Sequence, residues 1–227
     1  MFTGIVQGIG KVSAVFSYND FKSMTIWFPS DLLDGISISC SVAINGVCLS
    51  VTKIEGNYIS FDVINETLKI TNLKAVAVDQ FVNLERSAKM NTEVGGHFLS
   101  GHIIDVANVR AIQALEKNYR MEIQMTNKSL MKYVFYKGYV AIDGISLTIG
   151  KVFEDYFYVH LIPETMEKTT MSKKAVGDAL NIEVDSQTQV IVNTVERVLK
   201  ENYGNLRCLC HCTIETTEDG SEEEQSQ

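Results

Sequence analysis

The chain has 227 residues, of which 45% are hydrophobic and 21% are charged, a composition typical of a folded globular protein and not of a disordered one. Its formal net charge is −8, most of it from acidic residues near the C-terminus, so the body lacks the broad basic surface that binds nucleic acid. The apolar runs are short and interrupted by charge, which predicts no membrane-spanning helix.

The N-terminal segment and the cysteines indicate a cellular compartment. MFTGIVQGIG lacks the basic start and the long apolar core of a signal peptide. The 5 cysteines form no even, regularly spaced set, which argues against a disulfide scaffold. We therefore expect a reduced, cytoplasmic protein.

The first part of the chain reads as short β-strands separated by turns. Segments rich in β-branched and aromatic residues are bounded by turn pairs such as Asn45-Gly46, which is a strong hairpin signal. The predicted strands are Ser41–Ile44, Cys48–Ile54, Tyr58–Val63 and Phe81–Leu84. Several short strands within about 100 residues predict a small antiparallel barrel or sandwich.

The same pattern then occurs a second time. VAINGVCLS, beginning at Val42, matches VAIDGISLT, beginning at Val140, and the same offset without a gap aligns the pairs as far as Glu85 and Glu183. Roughly a third of these positions are identical, which indicates an internal duplication. Because the period is too long for a solenoid repeat, each copy is expected to be a domain of its own.

The C-terminal part changes character. From Ser186 to Asn202 the apolar residues follow helical spacing with charged residues on the other face, and Gly204 provides a stop. An amphipathic helix is therefore predicted, whose apolar stripe must pack against the barrels or against another copy of the chain. The polar, acidic residues Thr213–Gln227 are expected to be disordered. The predicted domains are 1–97, 98–185, a helix over 186–206 and a tail over 207–227.

Two residues stand out because only one copy carries them. Cys48 aligns with Ser146 and follows a predicted turn, so it is either a reactive thiol at a site or a small strand residue. His102 aligns with Ile5, and its imidazole is either a general base or a hydrogen-bonding residue at the junction of the two modules.

Hydroxyl residues at equivalent positions suggest two related pockets. Ser50 aligns with Thr148, and Thr67 with Thr165. Alternate strand residues share a face, so Cys48 and Ser50 lie together. The alternative is ordinary β-propensity. Cys208-Leu-Cys210-His211-Cys212 has the composition of a metal site but lacks two well-spaced ligand pairs, so no metal is expected there.

Taken together, these motifs resemble one family. MFTGIV, VAINGVCLSVT, NETLKITNL, VNLERSAKM, GGHFLSGHI, KGYVAIDGISLTI, LIPETMEKTT and NIEVD occur in the order found in riboflavin synthases, from Met1 to about Leu199. The resemblance implies an all-β fold of two six-stranded Greek-key barrels in tandem plus a C-terminal α-helix. It also implies a homotrimer in which the N-barrel of one subunit faces the C-barrel of another.

The resemblance further implies the reaction and its residues. Two molecules of 6,7-dimethyl-8-ribityllumazine are converted to riboflavin and a ribitylamino-pyrimidinedione, with no cofactor and no metal. One lumazine loses a proton from its 7-methyl group, and the other accepts a nucleophile at the same ring position. The implied catalytic residues are Cys48, His102, Ser146 and Thr148. The implied substrate-binding residues are Thr3, Gly4, Val6, Ser41, Ser50, Ile64, Glu66, Thr67, Gly101, Ile103, Lys137, Asp143, Ile162, Glu164, Thr165 and Asp185.

Individual positions among these have simpler readings. Asp143 matches Asn45 at a predicted turn, and such a residue usually makes the turn. A residue such as Lys137 normally has a solvated side chain. Asp185 could equally cap the following helix.

A second function class is the principal rival. The family has non-catalytic relatives, the lumazine proteins of luminous bacteria, which bind one lumazine or flavin as antennae. These relatives tend to lose the reactive positions, whereas Cys48, His102, Ser146 and Thr148 are all present here. An oligonucleotide-binding or protein-binding barrel is disfavoured, since the chain lacks a basic groove with aromatic platforms.

Overall fold

A computed structural model describes residues 1–91 and 93–203. The predicted acidic tail and the Cys208–Cys212 cluster lie outside the described residues. The remainder is built almost entirely of antiparallel strands, with short helices between them. No helix within the described part of the chain is long and apolar enough to cross a bilayer.

The strands of the first module are β1 (Gly8–Ser17), β2 (Phe21–Trp27), β3 (Ser41–Ile44), β4 (Val47–Glu55), β5 (Tyr58–Ile64) and β6 (Phe81–Arg86), and α1 (Asn65–Ile70) follows β5. They close into a six-stranded barrel with the strand order β1-β2-β5-β4-β3-β6. Because β2 pairs with β5 and β3 pairs with β6, this order is non-sequential, as in a Greek key.

The second module repeats this order strand for strand. The register shift in the first strand recurs at the equivalent place, between Val12 and Ala14 in one barrel and between Val109 and Ala111 in the other. The strands are β7 (Asp105–Ala114), β8 (Tyr119–Met125), β9 (Tyr139–Ile142), β10 (Ile145–Val152), β11 (Tyr156–Leu161) and β12 (Ala179–Val184), with α2 (Pro163–Lys168) after β11.

The all-β, two-barrel prediction is confirmed, and the four strands predicted in the first module all form. Alternation explains them: in β5, Ile59, Phe61 and Val63 are fully buried while Tyr58 and Asp62 are exposed. Each buried large apolar side chain contributes about 1.5–3 kcal/mol by leaving water. The inner faces of the six strands therefore form the core of each barrel.

The turns predicted from Asn-Gly and Asp-Gly also form. Asn45 has φ 47° and Gly46 φ 81°, and Asp143 and Gly144 have φ 46° and φ 81°. Two successive positive φ values match the right-handed twist of the flanking strands in a two-residue hairpin. Each turn is followed by the equivalent strand of its barrel, β4 or β10, in which buried apolar residues alternate with outward-facing residues that include hydroxyl side chains.

The C-terminal helix α3 spans Ser186–Tyr203. Asp185 caps its first turn, since its carboxylate accepts hydrogen bonds from the backbone N–H and the hydroxyl of Thr188 at 2.9 Å and 2.8 Å. Along the helix, the apolar residues Ile191, Val195 and Val198 are 63%, 51% and 44% exposed.

Candidate active site

The predicted thiol and hydroxyls lie on the outer faces of the two barrels. Cys48 and Ser50 alternate with the buried Leu49 along β4, and Ser146 and Thr148 occupy the same places on β10. Cys48 and Ser146 are half-buried, whereas Ser50 and Thr148 are exposed. The structure thus forms two equivalent polar faces, one on each barrel.

Each polar face is completed by a chain segment that belongs in sequence to the other module. The backbone N–H of Cys48 donates to the carbonyl of Gly101 at 2.9 Å, and that of Ser146 donates to the carbonyl of Gly4 at 2.8 Å. The segments preceding β1 and β7 are therefore exchanged between the barrels. His102 directly follows Gly101 in the chain, and its side chain is exposed.

The segment preceding β1 is clamped by a buried carboxylate. Glu85 accepts hydrogen bonds from the backbone N–H of Thr3 at 2.6 Å, from its hydroxyl at 2.9 Å and from the N–H of Gly4 at 3.1 Å. Burial raises the pKa of Glu85, and the three donors oppose that rise. The clamp fixes the carbonyl that reaches Ser146 on the other barrel.

Glu183 forms the same clamp in the second barrel. It accepts from the backbone N–H and hydroxyl of Ser100, both at 2.7 Å, and from the N–H of Gly101 at 3.1 Å. Burial likewise raises the pKa of Glu183, and the hydrogen bonds from Ser100 and Gly101 oppose that rise. The carbonyl of Gly101 is thereby held against Cys48.

A histidine is hydrogen bonded to Ser146, and a tyrosine stacks on that histidine. His97 Nδ1 lies 2.7 Å from Ser146 Oγ in a hydrogen bond, and the backbone N–H of His97 donates to the carbonyl of Thr3 at 3.1 Å. The imidazole stacks on the Tyr139 ring with centroids 5.1 Å apart. Burial lowers the pKa of His97, and Asp185 opposes this by raising it. A neutral imidazole is therefore favoured beside the serine.

The residues flanking the two short helices occupy matching positions. Ile64 and Ile162 directly precede α1 and α2 and are each 56% exposed. Ser41 pairs with Ser50 in the first barrel, where Tyr139 pairs with Thr148 in the second. Within the helices, the predicted binding residues are exposed or half-buried: Glu66, Thr67, Glu164 and Thr165.

Asp143 lies elsewhere, at the contact between the barrels. Its carboxylate is fully buried, accepts from the Asn72 amide and the Asn181 backbone N–H, both at 2.8 Å, and pairs with Lys174 Nζ at 2.7 Å. The side chain is turned away from the outer face that carries Ser146. The structure does not bring it together with the other predicted site residues.

Two further predicted residues have structural partners. Asp185 caps α3 through Thr188, and Lys137 is an exposed residue at φ 65° whose backbone N–H donates to the Ile149 carbonyl at 2.9 Å. Asp185 also acts electrostatically on His97.

Ile103 and Val6 continue the exchanged segments. Ile103 is 7% exposed and packs into the core of the first barrel, although it belongs to the second module in sequence. Val6 is half-buried and lines an open depression of about 780 Å³ together with Arg86 and Lys168. This depression does not contain Cys48 or Ser146.

Sequence reasoning missed His97, Tyr139 and the two clamps. Glu85 and Glu183 could have been found, because each is an acidic residue at the same place in the repeated segments Asn83-Leu-Glu85 and Asn181-Ile-Glu183. His97 lies in the glycine-rich connection between the modules, where a role as linker residue is equally natural. Its contact with Ser146 depends on the folding of both barrels.

Comparison with known proteins agrees with this architecture. The model of the lumazine binding domain matches the chain twice, at residues 3–87 and 100–185. LumP complexed with riboflavin has a similar structure, with a TM-score of 0.77 and 27% identity, covering 82% of this chain and 100% of LumP. LumP complexed with 6,7-dimethyl-8-(1'-D-ribityl) lumazine gives a TM-score of 0.75 at 26% identity, with the same coverage.

Curated relatives are more similar in sequence. Riboflavin synthase of Escherichia coli is 50% identical over 207 residues, covering 90% of this chain and 97% of that protein. Riboflavin synthase of Chlamydia muridarum is 42% identical over 204 residues, covering 90% of this chain and 100% of its own length. The duplicated lumazine-binding domain and this full-length identity show that the chain belongs to the riboflavin synthase family of enzymes.

Proposed function

We propose that the chain converts two molecules of 6,7-dimethyl-8-ribityllumazine to riboflavin and 5-amino-6-(D-ribitylamino)uracil, the last step of riboflavin biosynthesis. One observation carries the proposal. Cys48 and Ser50 on β4 and Ser146 and Thr148 on β10 form two equivalent polar faces, each completed by an exchanged segment. Two equivalent sites suit a reaction whose two substrates are the same molecule.

The assignment of residues follows the two faces. The first barrel offers Cys48, to which the segment carrying His102 is hydrogen bonded through the Gly101 carbonyl, and the second offers Ser146 and Thr148. The remaining proposed binding residues are Thr3, Gly4, Val6, Ser41, Ser50, Ile64, Glu66, Thr67, Gly101, Ile103, Ile162, Glu164 and Thr165. Holding two lumazine rings against each other supplies acceleration through proximity and orientation.

We further propose that the working unit is a homotrimer. Ser50 and Thr148 on the two polar faces are exposed, and Ile64 and Ile162 are each 56% exposed. A second chain that covers them would exclude water and bring two lumazines together. The exposed apolar residues of α3 are a suitable contact between copies.

A cytoplasmic location fits the free thiols. Cys40 and Cys48 are both unpaired, as is usual for cysteines in a reducing compartment. We therefore place the enzyme in the cytoplasm.

The test is to mix the purified full-length chain with 6,7-dimethyl-8-ribityllumazine alone and follow riboflavin by absorbance. We expect one riboflavin for every two lumazines consumed, without any added cofactor. The control is an equal concentration of heat-unfolded chain. Tight lumazine binding without riboflavin formation would instead support the alternative, a non-catalytic antenna protein that binds lumazine or flavin.

A further inference from the structure

The clamp at Glu183 continues into the segment that carries His102. The Ser100 hydroxyl donates to the Glu183 carboxylate at 2.7 Å and accepts a hydrogen bond from the backbone N–H of His102 at 3.2 Å. The backbone N–H groups of Ser100 and Gly101 donate to the same carboxylate at 2.7 Å and 3.1 Å. One buried side chain thus holds the backbone of three consecutive residues.

The same segment reaches the first barrel on both sides of His102. On one side, the Gly101 carbonyl accepts from the backbone N–H of Cys48 at 2.9 Å. On the other side, Ile103 is 7% exposed and packs into the core of the first barrel. The chain then returns to the second barrel, where the N–H of Ile104 donates to a carbonyl of β12 at 2.9 Å. The segment is therefore a short excursion onto the first barrel, anchored at each end on β12.

The anchor at Glu183 is a buried carboxyl group. Glu183 is 5% exposed, and a carboxyl group removed from water needs donors in place of its hydration. The donors that the structure shows come from Ser100 and Gly101. Burial raises the pKa of Glu183, while these hydrogen bonds and the charge of His102 lower it, so the carboxyl group and the imidazole interact.

The duplication supplies an internal comparison. Glu85 holds Thr3 and Gly4 through three donors of the same kind, and the Gly4 carbonyl accepts from Ser146 on the second barrel. The residue that follows Gly4 is Ile5, whose side chain is 47% exposed. The two clamps have the same geometry, but only the clamp of the second barrel leads to a side chain that can exchange a proton near neutral pH.

We propose that Glu183, a residue of the second barrel, is a positioning residue for the site on the first barrel. It acts through Ser100 and Gly101, which present His102 to the lumazine bound beside Cys48. The inference rests on the proposed function, in which Cys48 and His102 belong to the same site. A displacement of the segment by about 1 Å is enough to lower turnover by up to about 100-fold, because catalytic groups act only in the right geometry.

Glu183→Gln tests the positioning, because it keeps the size of the side chain but replaces one accepting oxygen of the clamp by an NH₂ group. Glu85→Gln, the same change in the clamp of the other barrel, is the matched control. The measurements are kcat and KM for riboflavin formation, the melting temperature, and the rate at which iodoacetamide alkylates Cys48. Peptide mass spectrometry distinguishes Cys48 from the other cysteines of the chain.

We expect Glu183→Gln to lower kcat by about tenfold or more while KM changes by less than about threefold, because the segment is displaced and the β4 residues of the face remain in place. The half-buried thiol of Cys48 should be alkylated about threefold faster or more, since the Gly101 carbonyl no longer lies against its backbone. Glu85→Gln should leave the alkylation rate of Cys48 within about twofold of the wild-type rate, because its clamp acts on the other barrel.

Ser100→Ala and Ser100→Thr form a second pair of variants. Alanine removes the hydroxyl that links Glu183 to the His102 backbone, whereas threonine keeps it, as Thr3 does in the other clamp at 2.9 Å. The value of kcat should fall in Ser100→Ala and return to within about threefold of the wild-type value in Ser100→Thr. This pair tests the positioning without changing a buried carboxyl group.

Three results would overturn the inference. The first is a Glu183→Gln variant whose only defect is a lowered melting temperature, with kcat and Cys48 alkylation as in the wild type. The second is an equal acceleration of Cys48 alkylation in Glu85→Gln, and the third is a Ser100→Thr variant as slow as Ser100→Ala. Failure of the proposed function is distinguishable from these results. If the wild-type chain forms no riboflavin, Cys48 alkylation still shows whether Glu183 positions the segment.

Discussion

At the scale of single residues, two glycines make the active-site geometry possible. Gly4 and Gly101 have φ 75° and 80°, where a side chain is strained. A Cβ at Gly4 would lie 2.5 Å from Ser146 Cβ, and one at Gly101 would lie 2.5 Å from Cys48 Cβ. Both glycines therefore allow the backbone to lie directly against the proposed reactive residues.

Substituting Gly101 by alanine should lower the free energy of unfolding by more than its positive φ alone would. Gly56 is the matched control, since its φ of 58° is equally unfavourable while nothing lies within 4 Å of its added Cβ. We expect Gly56→Ala to lower the free energy of unfolding by about 1–2 kcal/mol. Gly101→Ala should lower the free energy of unfolding by about a further 1–3 kcal/mol, because the added Cβ overlaps Cys48. Urea unfolding measures both, and equal losses would contradict the close packing.

Comparison of the two copies singled out Cys48 and Ser146 as positions that differ, and the family resemblance then implied their catalytic roles. Neither argument led to His97. Its partner Ser146 is 49 positions away, and the hydrogen bond exists only because the connection between the modules folds back onto β10.

At the scale of elements, the segments preceding β1 and β7 link the two barrels. Each is clamped by a carboxylate of its own module, Glu85 or Glu183, and offers its carbonyl to the other module's site. An element fixed on one barrel thus contacts the backbone of a proposed reactive residue on the other. Neither polar face is complete in an isolated module.

The raised pKa of Glu85 gives a pH-dependent prediction. A carboxyl whose pKa is higher in the folded than in the unfolded state contributes stability at low pH, which is lost as pH rises through the folded pKa. Glutamine does not titrate, so the free energy of unfolding of the wild type relative to that of Glu85→Gln, here called the wild-type advantage, should be larger at pH 4 than at pH 7. Each unit of pKa displacement changes that advantage by about 1.4 kcal/mol.

Chemical unfolding of both proteins at the two pH values measures this difference, with Glu55→Gln, an exposed residue of the same barrel, as the control. An advantage that grows with pH would mean that the hydrogen bonds from Thr3 and Gly4 outweigh burial.

At the scale of the whole molecule, the barrels meet through reciprocal contacts of their hairpin turns. The Asn83 amide donates to the Asp143 carbonyl at 2.9 Å, and the Asn181 amide donates to the Asn45 carbonyl at 2.8 Å. A Cβ at Gly46 would lie 2.6 Å from the Gly144 nitrogen, so the two turns are in direct contact. Because these turns are in contact, the carboxylate of Asp143 is buried in the interior between the barrels.

Assembly should depend on the apolar stripe of α3. We expect Val195→Glu to convert a trimer to monomers in sedimentation velocity, because a charge on the stripe opposes burial between chains. Lys200→Glu, a charge change at a polar position of the same helix, is the control and should remain trimeric. A trimer that survives Val195→Glu, and also deletion of 186–227, would exclude α3 as the contact.

The sequence by itself determined the duplication, the strands and turns of each barrel, the C-terminal helix and the family, because these depend on local patterning and on identity between the copies. Only the tertiary structure decided which side chains meet. The exchange of Gly4 and Gly101 between barrels, the clamps at Glu85 and Glu183, and the contact of His97 with Ser146 join positions 49–142 residues apart. Such contacts arise from the closure of the barrels and their packing against each other, which no local pattern encodes.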